Sequence, residues 1–459
     1  MHYGLIAIGS RGDVQPFVAL ALGLLDRGHE VTILAHENFN TFVGDYGIRF
    51  HPLPGNVEAM LYTPRGLSTL KKGNMLAFMR FVAKVVARNQ KGINKQLHFG
   101  TQKADVLVTS LVGMIWVHAI AAKTGKPWAT IQLSFPSTPT REFPFALLSF
   151  LDFPAYNKLT YKIFDYLYCK DYTKQLNEFR ASLGLEPVKG SILKKIAAEN
   201  TPNLYALSPN LLPRPADWDA RSQITGFLHL PPERRGQDPQ DGIPSDLAST
   251  GHIPSESIPS DLTRWLETGE APIYIGFGSI PVPDPVKFVR ILRQLLAETP
   301  YRFIFCQGWS HLDDLPQHQR LYVVETANHD ALFPHCRAAV IHGGIGTIAT
   351  ALRARLPLVI ASIFADQPWW GKIIARRGLG AHLPFARWSA PRLRAAIRTT
   401  ETPEVRQRVA DLGEKMRRED GLTATIEALE TYFAQTPTGP TPSAPPTPTG
   451  PTPVHRTTS

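Results

Sequence analysis

The chain predicts an α/β protein made of two doubly wound parallel sheets, and three observations carry that prediction. With 459 residues it is too long for one hydrophobic core and suits two domains of α/β size. Short apolar runs alternate with helix-like stretches in two separate series, the pattern of parallel strands covered by helices on both faces. Between the series, residues 232–262 ("PERRGQDPQDGIPSDLASTGHIPSESIPSDL") are rich in Pro, Gly, Ser and Asp and read as an interdomain linker.

The first series, residues 1–231, contains the runs "GLIAIG", "VTILA", "DVLVTS", "WATIQL", "NLYALS" and "QITGFL". It opens with a strand, a glycine turn, a helix and a second strand over Leu5–Leu34. That layout commonly seats a phosphate on the helix N-terminus, yet here the turn carries an acid, Asp13. In the linker, "IPSDL" occurs at Ile243–Leu247 and again at Ile258–Leu262, and the first copy reads as a surface insertion. The second series, residues 263–402, contains "PIYIGFGS", "RFIFCQG", "LYVVE", "AAVIHGG" and "PLVIAS". One long charged helix is expected over 403–435 to close the fold. Residues 436–459 are Thr/Pro low complexity, a composition that buries no core and predicts disorder.

Composition narrows the function classes. With 43% hydrophobic and 19% charged residues the chain is globular in type. A net charge of +10 favours acidic partners but is too dispersed to indicate nucleic acid. No leader pattern and no run of eighteen apolar residues is present. Cys169, Cys306 and Cys336 have neither metal-site nor disulfide spacing, so a reducing cytoplasmic setting is expected.

Chemistry concentrates in the second series. "AAVIHGGIGTIATAL" predicts a buried strand, a turn with Gly343, Gly344 and Gly346, and a helix opening near Thr347. Glycines allow close backbone approach, free N–H groups at a helix start suit phosphate, and His342 at the strand end can donate to a phosphate oxygen. An ordinary tight turn with a structural histidine fits the same residues. "GFGS" (Gly276–Ser279) repeats the arrangement, and two such turns suit a diphosphate better than one. In "PLVIASIFADQPWWG", Asp366 and Gln367 form an acid–amide pair that can hold two neighbouring sugar hydroxyls, or simply cap a helix. Trp369 and Trp370 suit core or ligand stacking equally. Trp309 sits at another strand end, where it can line a nucleotide pocket.

"GSRGDVQPFVALALGLLDRGHEVT", "FGS", "GW", "NHDALFPHCRAAVIHGGIGT" and "FADQPWWG" occur in this order. Together they resemble the nucleotide-sugar-dependent glycosyltransferases of the GT-B fold, in the subgroup of sterol glucosyltransferases and antibiotic glycosyltransferases. The resemblance covers about residues 1–400 and implies two Rossmann-like domains facing a cleft. It implies a nucleotide-sugar, UDP-glucose by subgroup, on the second domain and a hydrophobic acceptor on the first. His342, Gly344, Gly346 and Thr347 match the diphosphate motif, Asp366 and Gln367 the sugar-holding pair, and Gly278, Ser279 and Trp309 donor-site positions. Many relatives carry "HHGG"; this chain has Ile341-His342-Gly343-Gly344 and keeps the second histidine. Asp13 matches the position of the general base that accepts the acceptor hydroxyl's proton. On its own, its position also permits a helix N-cap. A free Asp is a weak base, with pKa about 3.9, and the helix N-terminus is expected to lower it further. Ser10 is expected to orient the acceptor or the carboxylate; Arg11 either pairs with Asp13 or is a surface charge. No cofactor and no metal is implied.

Two further segments bear on partners. Residues 141–169 are rich in aromatics and suit either the wall of an apolar acceptor pocket or core packing. Arg80, Lys84, Arg88, Lys91 and Lys95 share one helix face opposite Phe81, Val82, Val85 and Val86. Such a helix can rest on an anionic membrane or present a solvated face. The leading reading is an inverting hexosyltransferase. A nucleotide-sugar epimerase of the same fold and an inactive sugar-nucleotide-binding protein stand as alternatives.

Overall fold

Tyr3, Leu5, Ile6 and Ala7 are fully buried, so β1 (His2–Ala7) is covered on both faces, as the central strand of a parallel sheet must be. The computed structural model describes residues 1–72, 75–199, 201–230, 258–310, 312 and 314–436. Around β1 stand β2 (Glu30–His36), β3 (Arg49–Leu53), β4 (Val106–Thr109), β5 (Trp128–Gln132), β6 (Asn203–Tyr205) and β7 (Ser222–Ile224). Their order is β3-β2-β1-β4-β5-β6-β7, all parallel, with Leu5 opposite Ile33 on one side and Val108 on the other.

The second sheet holds β8 (Ile273–Gly276), β9 (Phe303–Cys306), β10 (Leu321–Val324), β11 (Ala338–Ile341), β12 (Leu358–Ile360) and β13 (Gly380–His382). Its order is β10-β9-β8-β11-β12-β13, again all parallel. Strand order reverses between β1 and β4 in the first sheet and between β8 and β11 in the second. Ligands of such sheets bind outside the carboxyl ends of the strands at these two points.

Every apolar run read from the sequence is a strand. The two strands it did not announce, β3 ("RFHPL") and β13 ("GAH"), lie at sheet edges, where burial is partial and polar residues are tolerated.

The closing segment departs from expectation. In place of one long helix there are two, Pro403–Arg417 and Gly421–Gln435, with Asp420 capping the second by accepting from the Thr423 N–H at 3.0 Å. Val405, Val409, Leu412 and Met416 of the first bury in the second domain. Ile426, Leu429 and Phe433 of the second bury in the core of the first domain, against the helix Arg11–Asp26. Glu430 fixes this crossing by accepting from Arg27 at 2.7 Å and pairing with His29 at 2.9 Å. Where the chain crosses, a Cβ added to Gly421 would lie 2.3 Å from the carbonyl carbon of Gly226, so the two backbones touch.

The predicted linker also shortens. Ser260–Glu267 is a helix, and Leu262 is buried in the second domain's cluster. Residues 231–257, with the first "IPSDL" copy, and 437–459, with nearly all of the predicted tail, lie outside the described residues. Among the described residues no helix is long and apolar enough to cross a membrane, and the three cysteines are free.

Candidate active site

The two helix starts that face the cleft are built oppositely. At the first, Ser10 precedes the helix Arg11–Asp26 as its N-cap, so Asp13 is not the cap but sits three residues on. Its carboxylate folds back to accept from the Ser10 N–H at 2.8 Å and the Ser10 hydroxyl at 3.2 Å. The anion position at this helix start is therefore filled by the chain's own carboxylate. Ser10 orients the carboxylate, the second of its two expected roles. Gly9, not singled out in the sequence, makes the fold-back feasible: its φ is +149°, and an added Cβ would lie 2.1 Å from Asp13 Oδ2. Gly9→Ala is expected to displace the carboxylate and to cost about 1–3 kcal/mol in stability. Thermal unfolding together with transfer rate checks this.

The expected pKa direction at Asp13 is corrected. Loss of water around the half-buried carboxyl raises its pKa, and this outweighs the two Ser10 hydrogen bonds that lower it. Nor does Arg11 pair with Asp13. Its guanidinium lies 4.6 Å from the Phe42 ring centroid, and its Nε donates to Gln15 at 3.3 Å. Residues two apart on a helix do not face one another. Arg11 is exposed, so of its two expected roles the surface charge is the one the structure shows.

At the second helix start, Gly344 caps Ile345–Arg353 with no side-chain hydrogen bond. The first-turn N–H groups, including those of Gly346 and Thr347, are left for a ligand. Gly346 has open space where a Cβ would stand, and Thr347 is half-buried beside it. His342 follows β11 directly and is buried. Its Nε2 lies 2.5 Å from where a Cβ of Gly344 would be, so it addresses the helix start, while Cε1 lies 2.9 Å from the corresponding position of Gly278. Its Nδ1 is buried without a hydrogen-bond partner among the described residues. A bare lone pair tolerates this better than an N–H, which favours the tautomer with the proton on Nε2. Burial pushes the His342 pKa down to about 4, so the group acts as a neutral donor at pH 7.

Gly278 (φ +58°) and Gly308 (φ +50°) bring the loops after β8 and β9 together, since a Cβ on Gly308 would lie 2.6 Å from the Gly278 carbonyl oxygen. Ser279 and Trp309 follow them, half-buried at the carboxyl edge of the sheet. His329, quoted in a motif but given no role from sequence, pairs with the buried Tyr274 hydroxyl at 2.7 Å. Burial first, then the charges of His342 and Arg11, push its pKa down to about 4.

Asp366 opens the helix Gln367–Arg376 after Ala365, which holds a strained φ of +58°. Its Oδ2 accepts from the Trp370 indole at 3.1 Å, and the same N–H reaches the Ser134 carbonyl of the first domain at 2.9 Å. Trp369 and Trp370 are thus core residues, 4% and 0% exposed, and Trp370 also holds Asp366 in place. Desolvation, with a smaller contribution from the charge of Asp13, raises Asp366 to about 7. The Gln367 carbonyl oxygen accepts from the N–H groups of Ile363 and Phe364 at 2.8 and 3.2 Å, so only its NH₂ remains for a ligand.

The aromatic segment divides. Phe145, Tyr161, Phe164 and Tyr168 are core, Phe143 packs on Trp369 of the other domain with centroids 5.6 Å apart, and Phe150, Phe153 and Tyr166 are exposed. On the helix Met75–Gly100, Lys84, Arg88, Lys91 and Lys95 are exposed and Phe81, Ile93 and Leu97 buried. The side chains of Arg80, Val82 and Val86 lie outside the described residues. No group of three or more His, Cys, Asp or Glu gathers to hold a metal among the described residues.

This arrangement can hold a diphosphate at one helix start and a sugar beside Asp366 and Gln367, with a carboxylate across the cleft to take a proton. Comparison with known proteins bears on the family and the fold. Residues 3–120 match the glycosyltransferase family 28 N-terminal domain, and residues 304–430 match the erythromycin biosynthesis protein CIII-like C-terminal domain. Sterol 3-beta-glucosyltransferase UGT80A2 of Arabidopsis thaliana is 33% identical over 440 residues, covering 94% of this chain and 65% of its own length. Sterol 3-beta-glucosyltransferase UGT80B1 of the same plant is 32% identical over 442 residues, covering 94% and 68%. The chain thus spans about two thirds of these plant relatives. The crystal structure of the glycotransferase of kitacinnamycin superposes with a TM-score of 0.66 at 17% identity, over 94% of this chain and 98% of that one, which establishes the shared GT-B fold. On the sequence match and the shared architecture together, the chain belongs to the glycosyltransferase family that includes the sterol 3-beta-glucosyltransferases.

Proposed function

We propose that the chain is an inverting hexosyltransferase that moves glucose from UDP-glucose to a hydroxyl of a hydrophobic acceptor, with sterols the first class to test. The observation that carries this reading is the Trp370 indole, which bonds both Asp366 at 3.1 Å and the Ser134 carbonyl of the first domain at 2.9 Å and so fastens the sugar-side carboxyl to the domain that carries Asp13. In the proposed reaction the donor diphosphate rests on the N-terminus of Ile345–Arg353 and accepts from His342 Nε2. Ser279 and Trp309 border the nucleoside. Asp366 accepts from one sugar hydroxyl and the Gln367 NH₂ donates to its neighbour. The acceptor oxygen attacks the anomeric carbon from the side opposite the diphosphate. The bond from that carbon to the phosphate oxygen breaks with its electron pair leaving on UDP, and the acceptor proton passes to Asp13. One displacement of this kind inverts the anomeric centre. The raised pKa of Asp13 suits this role better than that of a free aspartate.

The reading assigns no step to a metal. Transfer is expected to keep its rate after dialysis against EDTA, and loss of rate restored by Mg²⁺ would refute that assignment. It places the enzyme in the cytosol, with peripheral contact to anionic membrane through the basic face of Met75–Gly100.

Mass spectrometry of the protein with UDP-glucose and a panel of sterols, terpenoid alcohols, polyketides and phenols tests the whole reading. A hexose adduct of an acceptor is the expected product. Conversion of the UDP-hexose without any acceptor would select the epimerase alternative, and binding without turnover the inactive one.

A further inference from the structure

Six of the eleven large hydrophobic side chains that stand exposed among the described residues fall within 150–166: Phe150 (78% exposed), Leu151 (54%), Phe153 (50%), Leu159 (49%), Ile163 (37%) and Tyr166 (66%). Isolated exposed apolar residues are ordinary, but a cluster of this kind marks an interaction surface. The first three form a loop tip, and the last three lie on the helix Pro154–Ser182 at positions i, i+4 and i+7, one row along one face. Lys158 and Lys162, each exposed and one residue before a member of that row, run beside it, and Lys170 continues it. Of the acids nearest in sequence, Asp171 follows Lys170 directly, and Asp152 and Asp165 are engaged elsewhere. Asp152 pairs with Arg376, and Asp165 accepts from Ser191 and lies 3.9 Å from Lys194.

The loop is also tied to the donor side of the cleft. Lys372 donates to the Ser149 carbonyl, and Arg376 holds Asp152. Both cations lie on the helix that begins with Gln367, next to Asp366. The apolar tip therefore stands at the rim of the cleft, fixed to the element that carries the sugar-holding pair.

We propose that Phe150, Leu151, Phe153 and the row Leu159–Ile163–Tyr166 are the segment that enters an anionic bilayer, with Lys158, Lys162 and Lys170 at headgroup level. An apolar row flanked by lysines, with a Tyr whose ring is apolar and whose hydroxyl is polar, matches the layered interface of a membrane rather than a protein surface. The placement delivers a lipid-dissolved acceptor to the cleft without passage through bulk water. This deepens the membrane contact proposed above and rests on it, but moves the apolar anchor from the basic helix to the loop tip.

The test is sedimentation of the full chain with vesicles of phosphatidylcholine alone and of phosphatidylcholine with phosphatidylserine, read beside glucosylation of a water-soluble phenol. Wild type is expected to sediment with the anionic vesicles. The variant Phe150→Ser/Leu151→Ser/Phe153→Ser is expected to lose roughly tenfold or more of that partitioning while keeping its rate on the soluble phenol. The variant Lys84→Glu/Lys91→Glu should lose only the salt-sensitive part. Wild-type partitioning by the triple-Ser variant would overturn the inference and leave the basic-helix contact standing. Failure of wild type itself to bind anionic vesicles would remove the membrane contact altogether, and the inference with it.

Discussion

Asp13→Asn is expected to lower transfer to an aliphatic hydroxyl by roughly 10²–10⁴, the span of a general base. The substitution isolates chemistry from architecture. The Asn side-chain oxygen can still accept from the Ser10 N–H, so the helix start and Gly9 keep their arrangement. UDP-glucose binding should survive, since the proposed donor contacts all lie on the second domain. An acidic phenol should lose less rate, because it needs less help to shed its proton. The pH profile gives an independent reading. The active form of Asp13 is the carboxylate, and its pKa is raised, so kcat/KM for wild type should fall on acidification at a pH above the range of a free aspartate. In Asp13→Asn the part of that limb due to Asp13 should vanish, leaving the part due to Asp366, whose pKa is raised to about 7. Near-wild-type rates on the aliphatic acceptor would leave Asp13 with a structural role alone.

His342→Ala is expected to slow transfer by roughly 10²–10³, the usual cost of removing one donor to developing negative charge. Nε2 addresses the helix start capped by Gly344, where in the proposed reaction the leaving diphosphate gathers charge as its bond to the sugar breaks. A neutral imidazole contributes here through its N–H and not through a charge, because its pKa lies near 4. The rate loss should therefore exceed the loss in UDP-glucose affinity: the interaction strengthens as the bond breaks. Circular dichroism and thermal unfolding should change little, since the variant removes a buried ring whose Nδ1 already lacks a partner. A folded variant with an unchanged rate would remove His342 from the reaction.

Much of this architecture is legible in the residues. Nine of the eleven apolar runs are inner strands, where burial on both faces demands apolar residues, and the other two form the edge strands β7 and β10, which are only partly buried. β3 and β13 escape because an edge strand of three to five residues needs no such run. The break at 418–420 escapes because Asp420 reads equally well as one more charge on a long helix; only packing against two different domains makes it a cap. At the site, the resemblance carried by the quoted motifs singles out Asp13, His342, Asp366 and Gln367, while residue types and spacing alone leave each of them a structural alternative. Their electrical state is not legible. The raised pKa of Asp13 comes from lost water, and that of Asp366 from lost water with a smaller part from the Asp13 carboxyl on the opposite domain, none of which a local window contains. The support given to Asp366 by Trp370 and Ser134 is hidden for the same reason, since its partners are 236 residues apart.

The return of Gly421–Gln435 to the first domain makes that domain discontinuous in sequence. Anyone exchanging donor specificities between relatives by cutting once at the linker would carry away Ile426, Leu429 and Phe433 with the wrong half and open the recipient's core. The transferable cassette is the stretch from the helix at Ser260 to Arg417, spliced at both ends, with Gly226 and Gly421 kept from the same parent because their backbones leave no room for a side chain between them.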